Sequence, residues 1–96
     1  MSIYLTALVR SKAGKATELK VVLQNMVTQS RQEAACLQYD LHQSTDDENQ
    51  FIFWEEWESE AGLQAHNQQP YITEFVAVAP ELTESAPVIH LVQRIS

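Results

Sequence analysis

At 96 residues the chain has room for one domain, 1–96, and for no second hydrophobic core. Apolar residues make up 45% and charged residues 20%, the balance of a globular fold rather than of a disordered or membrane-spanning one. Six basic against thirteen acidic side chains leave a net charge of −7, with five of the six cations within the first 31 positions; this argues against nucleic acid or a membrane surface as partner.

The N-terminal segment MSIYLTALVRSK has no basic start and no small-residue cleavage site, so a signal peptide is not expected. Cys36 is the single cysteine, which rules out an internal disulfide framework and fits a cytoplasmic location. Ile3 to Arg10 alternates as a strand, Ile3, Leu5, Ala7 and Val9 against Tyr4, Thr6, Leu8 and Arg10, with apolar residues on both faces. After a turn at Ser11–Gly14, the residues Ala16, Leu19, Val22, Leu23, Met26, Val27 and Ser30 share one helical face. That helix is predicted to run to about Ala34, with Arg31 complementing the dipole at its end.

Leu37 to Gln43 reads as a second strand, with Leu37, Tyr39 and Leu41 on one face. A polar, acidic hairpin over 44–49 leads to a third strand, Gln50 to Trp57. There Phe51, Phe53, Glu55 and Trp57 face one way, and Ile52, Trp54 and Glu56 the other. Ser59 is placed as N-cap of a short helix reaching His66. Pro70 suits the first turn of a third helix bearing Ile72, Phe75, Val76 and Ala79 on one face. A loop from Pro80 to Pro87 and a last strand from Val88 to Ile95 complete the chain.

The order β-α-β-β-α-α-β predicts an α+β, ferredoxin-like fold, a four-stranded antiparallel sheet with helices on one face. The other face would carry Leu8, Ile52, Trp54, Val88 and Val92. That surface is too apolar to leave in water, so a homodimer packing sheet on sheet is expected.

The segments RQEAACLQYDLHQ and FIFWEEWESEAGLQAHNQQPY, in this element order, resemble the antibiotic biosynthesis monooxygenase family. The resemblance implies a dimeric α+β barrel and covers nearly the whole chain. It also implies a cofactor-independent monooxygenase, related to quinol monooxygenases, acting on a small aromatic quinol or phenol with molecular oxygen. No cofactor or metal is implied; the reduced substrate supplies the electrons. Two family positions differ here: Trp57 matches a substrate-contacting Trp, but Phe53 stands where an Asn is found four residues earlier. A helix Arg has no counterpart at Val76 or Ala77. Haem-degrading relatives carry an axial His where this chain has Phe75 to Val78, so haem is not expected.

His66 and Trp57 are the candidate catalytic residues. An imidazole titrates near ~6.5, which suits a base for a phenol at neutral pH. Phe53, Tyr39 and Tyr71 are candidates for an aromatic substrate wall, with Tyr71 standing where many relatives carry a second His. Asn67 is a candidate substrate hydrogen-bonder or a cap for the third helix; Glu56 is a further candidate at the substrate site, as a partner of His66 or as one end of a hydrogen bond across the dimer. Two other readings stay open. One is an isomerase or degradative enzyme for small phosphorylated carbonyl signals, with Arg10, Arg31 and Arg94 as phosphate donors. The other is a non-catalytic dimer that binds a hydrophobic ligand.

Overall fold

The computed structural model describes residues 2–96 and has the predicted element order. Strand β1 (Ile3–Arg10) is followed by α1 (Ala16–Ser30), β2 (Cys36–Gln43), β3 (Gln50–Trp57), α2 (Glu60–Asn67), α3 (Pro70–Leu82) and β4 (Val88–Val92). The sheet runs β2-β3-β1-β4 with every neighbouring pair antiparallel. This is the ferredoxin-like α+β arrangement expected from the sequence.

Period-two alternation sorts the strands cleanly. Leu5, Val9, Phe51, Phe53 and Trp57 are buried on the helix side against Leu19, Leu23 and Met26 of α1 and Phe75 of α3. The opposite face is made of three cross-strand rows: His42-Ile52-Leu8-Val88, Asp40-Trp54-Thr6-His90 and Gln38-Glu56-Tyr4-Val92. No helix of the described residues covers it, and Trp54 and Val88 are exposed there. No helix among the described residues is long and apolar enough to cross a membrane.

Three boundaries and the facing of one residue differ from the sequence expectation, each for a local reason. Helix α1 stops at Ser30 rather than near Ala34. Beyond it the backbone bonds close over three residues, from Gln32 N–H to the Gln29 carbonyl and from Glu33 N–H to that of Ser30. That tightening turns the chain inward at Glu33. Leu37 does not share a face with Tyr39: the ladder shifts between Cys36 and Gln38, and the bulged Leu37 is 54% exposed. Helix α3 passes through Pro80 to Leu82, because a proline near a helix end forfeits only one bond. The helix end is held by Thr83, whose Oγ1 donates to the Ala79 carbonyl at 2.6 Å, and by Lys12 N–H to the Leu82 carbonyl at 2.9 Å. Strand β4 ends at Val92, which pairs Tyr4 near the start of β1; beyond it the partner strand runs out.

Both glycines are required where they stand. Gly14 takes φ +80° in the turn into α1. At Gly62 a Cβ would meet the Ala35 Cβ at 2.4 Å, so only glycine lets α2 press onto the turn that follows α1. The Ala35 carbonyl accepts from Glu58 N–H at 2.9 Å, fixing the same approach. This contact brings Glu33 next to His66.

Candidate active site

Helix α2 begins where Ser59 Oγ accepts from Gly62 N–H at 3.1 Å, and it carries His66 on its last turn. His66 points into the sheet and is 4% exposed. Its ring packs on Trp57 with centroids 4.3 Å apart, and Tyr39 meets its edge at 5.5 Å. Nδ1 lies 2.8 Å from Glu33 Oε2, and the Tyr71 hydroxyl donates to the same carboxylate. With a carboxylate as its partner, Nδ1 is the donor, so Nε2 keeps its lone pair. Burial lowers the His66 pKa, against the pull of Glu33. The ring is therefore neutral at neutral pH, in the form a general base requires.

His66 forms part of the wall of a cleft of about 540 Å³ between the helix face of the sheet and α2 and α3. Leu5, Ala7 and Val9 of β1, Phe53 and Glu55 of β3, and Ile89 and Leu91 of β4 supply the sheet side. Leu63, Asn67, Ile72, Phe75 and Val76 supply the helix side. Helices leave the β4 edge uncovered, and Ile89 and Leu91 are exposed along it. No lysine or arginine of the described residues lines this cleft. Arg10 is paired with Asp47 at 2.6 Å and Glu84 at 3.0 Å, and Arg31 with Asp40 at 3.0 Å.

Of the residues singled out in the sequence, the fold brings His66, Phe53 and Asn67 to the cleft wall. Asn67 ends α2, and the residue capping α3 is Gln69 instead. Tyr39 and Trp57 are fully enclosed behind the wall and support the imidazole. Tyr71 sits on the far side of Glu33 and opens onto a separate polar groove with Gln29, Gln32, Gln69 and Glu74. Glu56 is the correction. As the neighbour of Glu55 and Trp57 on a pleated strand it faces the open side of the sheet, with Tyr4, Gln38 and Trp54, so Glu33 partners His66 in its place.

Two carboxylates at the site escaped the sequence reading. Glu33 carries no local signal, since its approach depends on the early end of α1. Glu55 had one: it alternates with Phe51, Phe53 and Trp57, an acid on a face otherwise apolar. Its Oε1 accepts from Trp57 Nε1 at 2.9 Å, and burial pushes its pKa from 4.5 up to about 7. A raised carboxyl pKa favours the folded state below pH 4.5, and that advantage is lost as pH rises through about 7. Glu55→Gln is therefore expected to raise the denaturation midpoint above pH 7 and to flatten its pH dependence. The stabilisation there is on the order of 3 kcal/mol at most, and thermal melts from pH 4 to 9 check it.

The family model described as antibiotic biosynthesis monooxygenase matches residues 2–78. The chain belongs to the antibiotic biosynthesis monooxygenase family. Within it, the Bacillus subtilis protein named "Putative monooxygenase YcnE" is 38% identical over 85 residues, 88% of each chain. The "Uncharacterized protein sll1783" of Synechocystis is 34% identical over 74 residues, 77% of this chain, which spans only 50% of that relative's length. Among solved structures, PA3566 from Pseudomonas aeruginosa superposes with a TM-score of 0.93 at 32% identity, covering 99% of this chain and 95% of the other. The matched region of the antibiotic biosynthesis monooxygenase model contains Glu33, Glu55 and His66, and the helix turn bearing Phe75.

Proposed function

We propose that this chain is a cofactor-independent oxygenase for a small aromatic quinol or phenol, with His66 as the base. The observation that carries this reading is a buried imidazole, its Nδ1 2.8 Å from Glu33 Oε2, at the wall of a largely apolar cleft. His66 Nε2 takes the phenolic proton, and the resulting electron-rich anion reacts with molecular oxygen. One oxygen atom ends on the carbon; the other leaves as water with the two hydrogens the substrate gives up. The substrate is thus the reductant and oxygen the oxidant. Phe53 backs the sheet side of the cleft, and Asn67 offers a hydrogen bond at its wall.

A phosphorylated carbonyl substrate fits less well, because its phosphate calls for cations that this cleft does not offer. Oxygen uptake with a reduced naphthoquinol tests the reading. The expected result is uptake above autoxidation, lost in His66→Ala; saturable binding with no added uptake would favour a protein that sequesters its ligand.

The working unit in this proposal is a homodimer joined through the open sheet face. Ile52, Leu8, Val88 and Trp54 form a continuous apolar patch there, and a domain this small buries only roughly 60–65% of its chain's surface by itself. Sedimentation equilibrium is expected to give twice the 10.9 kDa chain mass, and Trp54→Arg, which places a charge in the joint, to give the single chain. A wild-type monomer at micromolar concentration would contradict the dimer.

A further inference from the structure

Among the described residues Glu55 is the one carboxyl group on the wall of the cleft, and the base chemistry assigned to His66 leaves it without a role. Burying a carboxyl on a strand between Leu5 and Tyr39, on the face of Phe53 and Trp57, is costly, and replacing it with an apolar residue would remove that cost. Its side chain is not loose. Oε1 accepts from Trp57 Nε1 at 2.9 Å, the same indole that packs at a tilt against His66 with centroids 4.3 Å apart. The indole thus sets the positions of both proton-handling groups. Glu55 comes from β3 and His66 from α2, so a ligand between sheet and helix meets the two from different sides.

We propose that Glu55 is a second catalytic residue, the general acid that protonates the departing oxygen in the reaction begun by His66. The proposal rests on the oxygenase reading above. Once oxygen has added and His66 has returned its proton, the bound species is a hydroperoxide with one hydrogen left on the carbon. His66 removes that hydrogen as a proton. The C–H electron pair becomes the new C=O bond, and the O–O bond breaks with its pair on the distal oxygen. Glu55 gives that oxygen its proton, so water leaves and the product carries one new carbonyl. His66 is left protonated and Glu55 ionised, and proton exchange resets them.

The environment supplies the protonated acid at neutral pH. Tyr39 and Cys36 of β2 and Glu33 after α1 all act near this carboxyl, and none is a cation. Burial disfavours a charge on His66, while among the described residues β1, β4 and α3 present only uncharged side chains to the cleft. Burial and the Glu33 charge together place Glu55 at about 7, where both acid and base forms are populated.

The experiment combines a titration that needs no substrate with a kinetic arm. In protein labelled with ¹⁵N-tryptophan, the Trp57 indole N–H is expected to shift with an inflection near pH 7. Glu55→Gln should abolish it, and His66→Gln should leave it in place. With reduced naphthoquinol, Glu55→Gln is expected to lower kcat about a hundredfold with KM within a few-fold, and to remove the fall in rate above pH 7. Wild-type uptake no faster than autoxidation would overturn the oxygenase reading and this role with it. Wild-type uptake matched in kcat and pH profile by Glu55→Gln would overturn the role of Glu55 alone, as would an inflection that survives Glu55→Gln.

Discussion

His66→Ala is expected to lower oxygen uptake with a reduced naphthoquinol by roughly 10²–10⁴-fold, the range a positioned general base supplies. The expectation follows from geometry. Nδ1 is committed to Glu33 at 2.8 Å, so the ring cannot turn and Nε2 is the one nitrogen free to take a proton. The variant also leaves Glu33, itself largely enclosed, with Tyr71 as its remaining partner, so some stability is lost. His66→Gln separates the two effects, because its amide can still donate to Glu33 while it cannot act as a base. The prediction is a folded His66→Gln protein that is as inactive as His66→Ala. Rates close to wild type in His66→Gln would make the imidazole a strut of the scaffold. The acidic limb has a defined sign. Burial lowers the His66 pKa, so the base persists below the ordinary 6.5, and protonation there favours the unfolded chain.

Trp57→Ala carries the largest expected loss of stability, about 3–5 kcal/mol. Its side chain is completely enclosed, packs against Tyr39 and His66, and donates its indole hydrogen to Glu55. Truncation opens a cavity in the centre of the core and strips the buried Glu55 of its donor. Small domains hold about 5–15 kcal/mol in all, so the variant is expected to be poorly folded at physiological temperature. Trp57→Phe retains most of the volume but not the donor. Urea denaturation should place it between wild type and Trp57→Ala, with a further rise in the Glu55 pKa because the bond that opposed burial has gone.

How far the sequence discloses this arrangement depends on which interaction sets each feature. Alternation in QFIFWEEW is enough to put Phe53, Glu55 and Trp57 on one face and Trp54 and Glu56 on the other, because the pleat has a strict period of two. The same rule excludes Glu56 from the His66 cleft once the helices are placed. Ser59 announces the start of α2, and the helical turn from Leu63 aims His66 inward. The bulge at Leu37 is different. No glycine marks it, and it arises from how the turn after α1 enters the sheet. Glu33 meets His66 through that same turn and through the close approach at Gly62, contacts between segments far apart in sequence. Pro80 misleads in the opposite direction, since a helix tolerates it when neighbouring segments secure the end.

Oxygen is expected to enter a substrate that stands in the cleft beside His66. Single-turnover mixing of the protein and a reduced naphthoquinol with ¹⁸O₂ tests this most directly. The predicted result is one ¹⁸O atom in the product per substrate consumed, formed faster than in buffer and absent with His66→Gln. Product formed at the buffer rate, with the same labelling whether or not His66 is present, would contradict it.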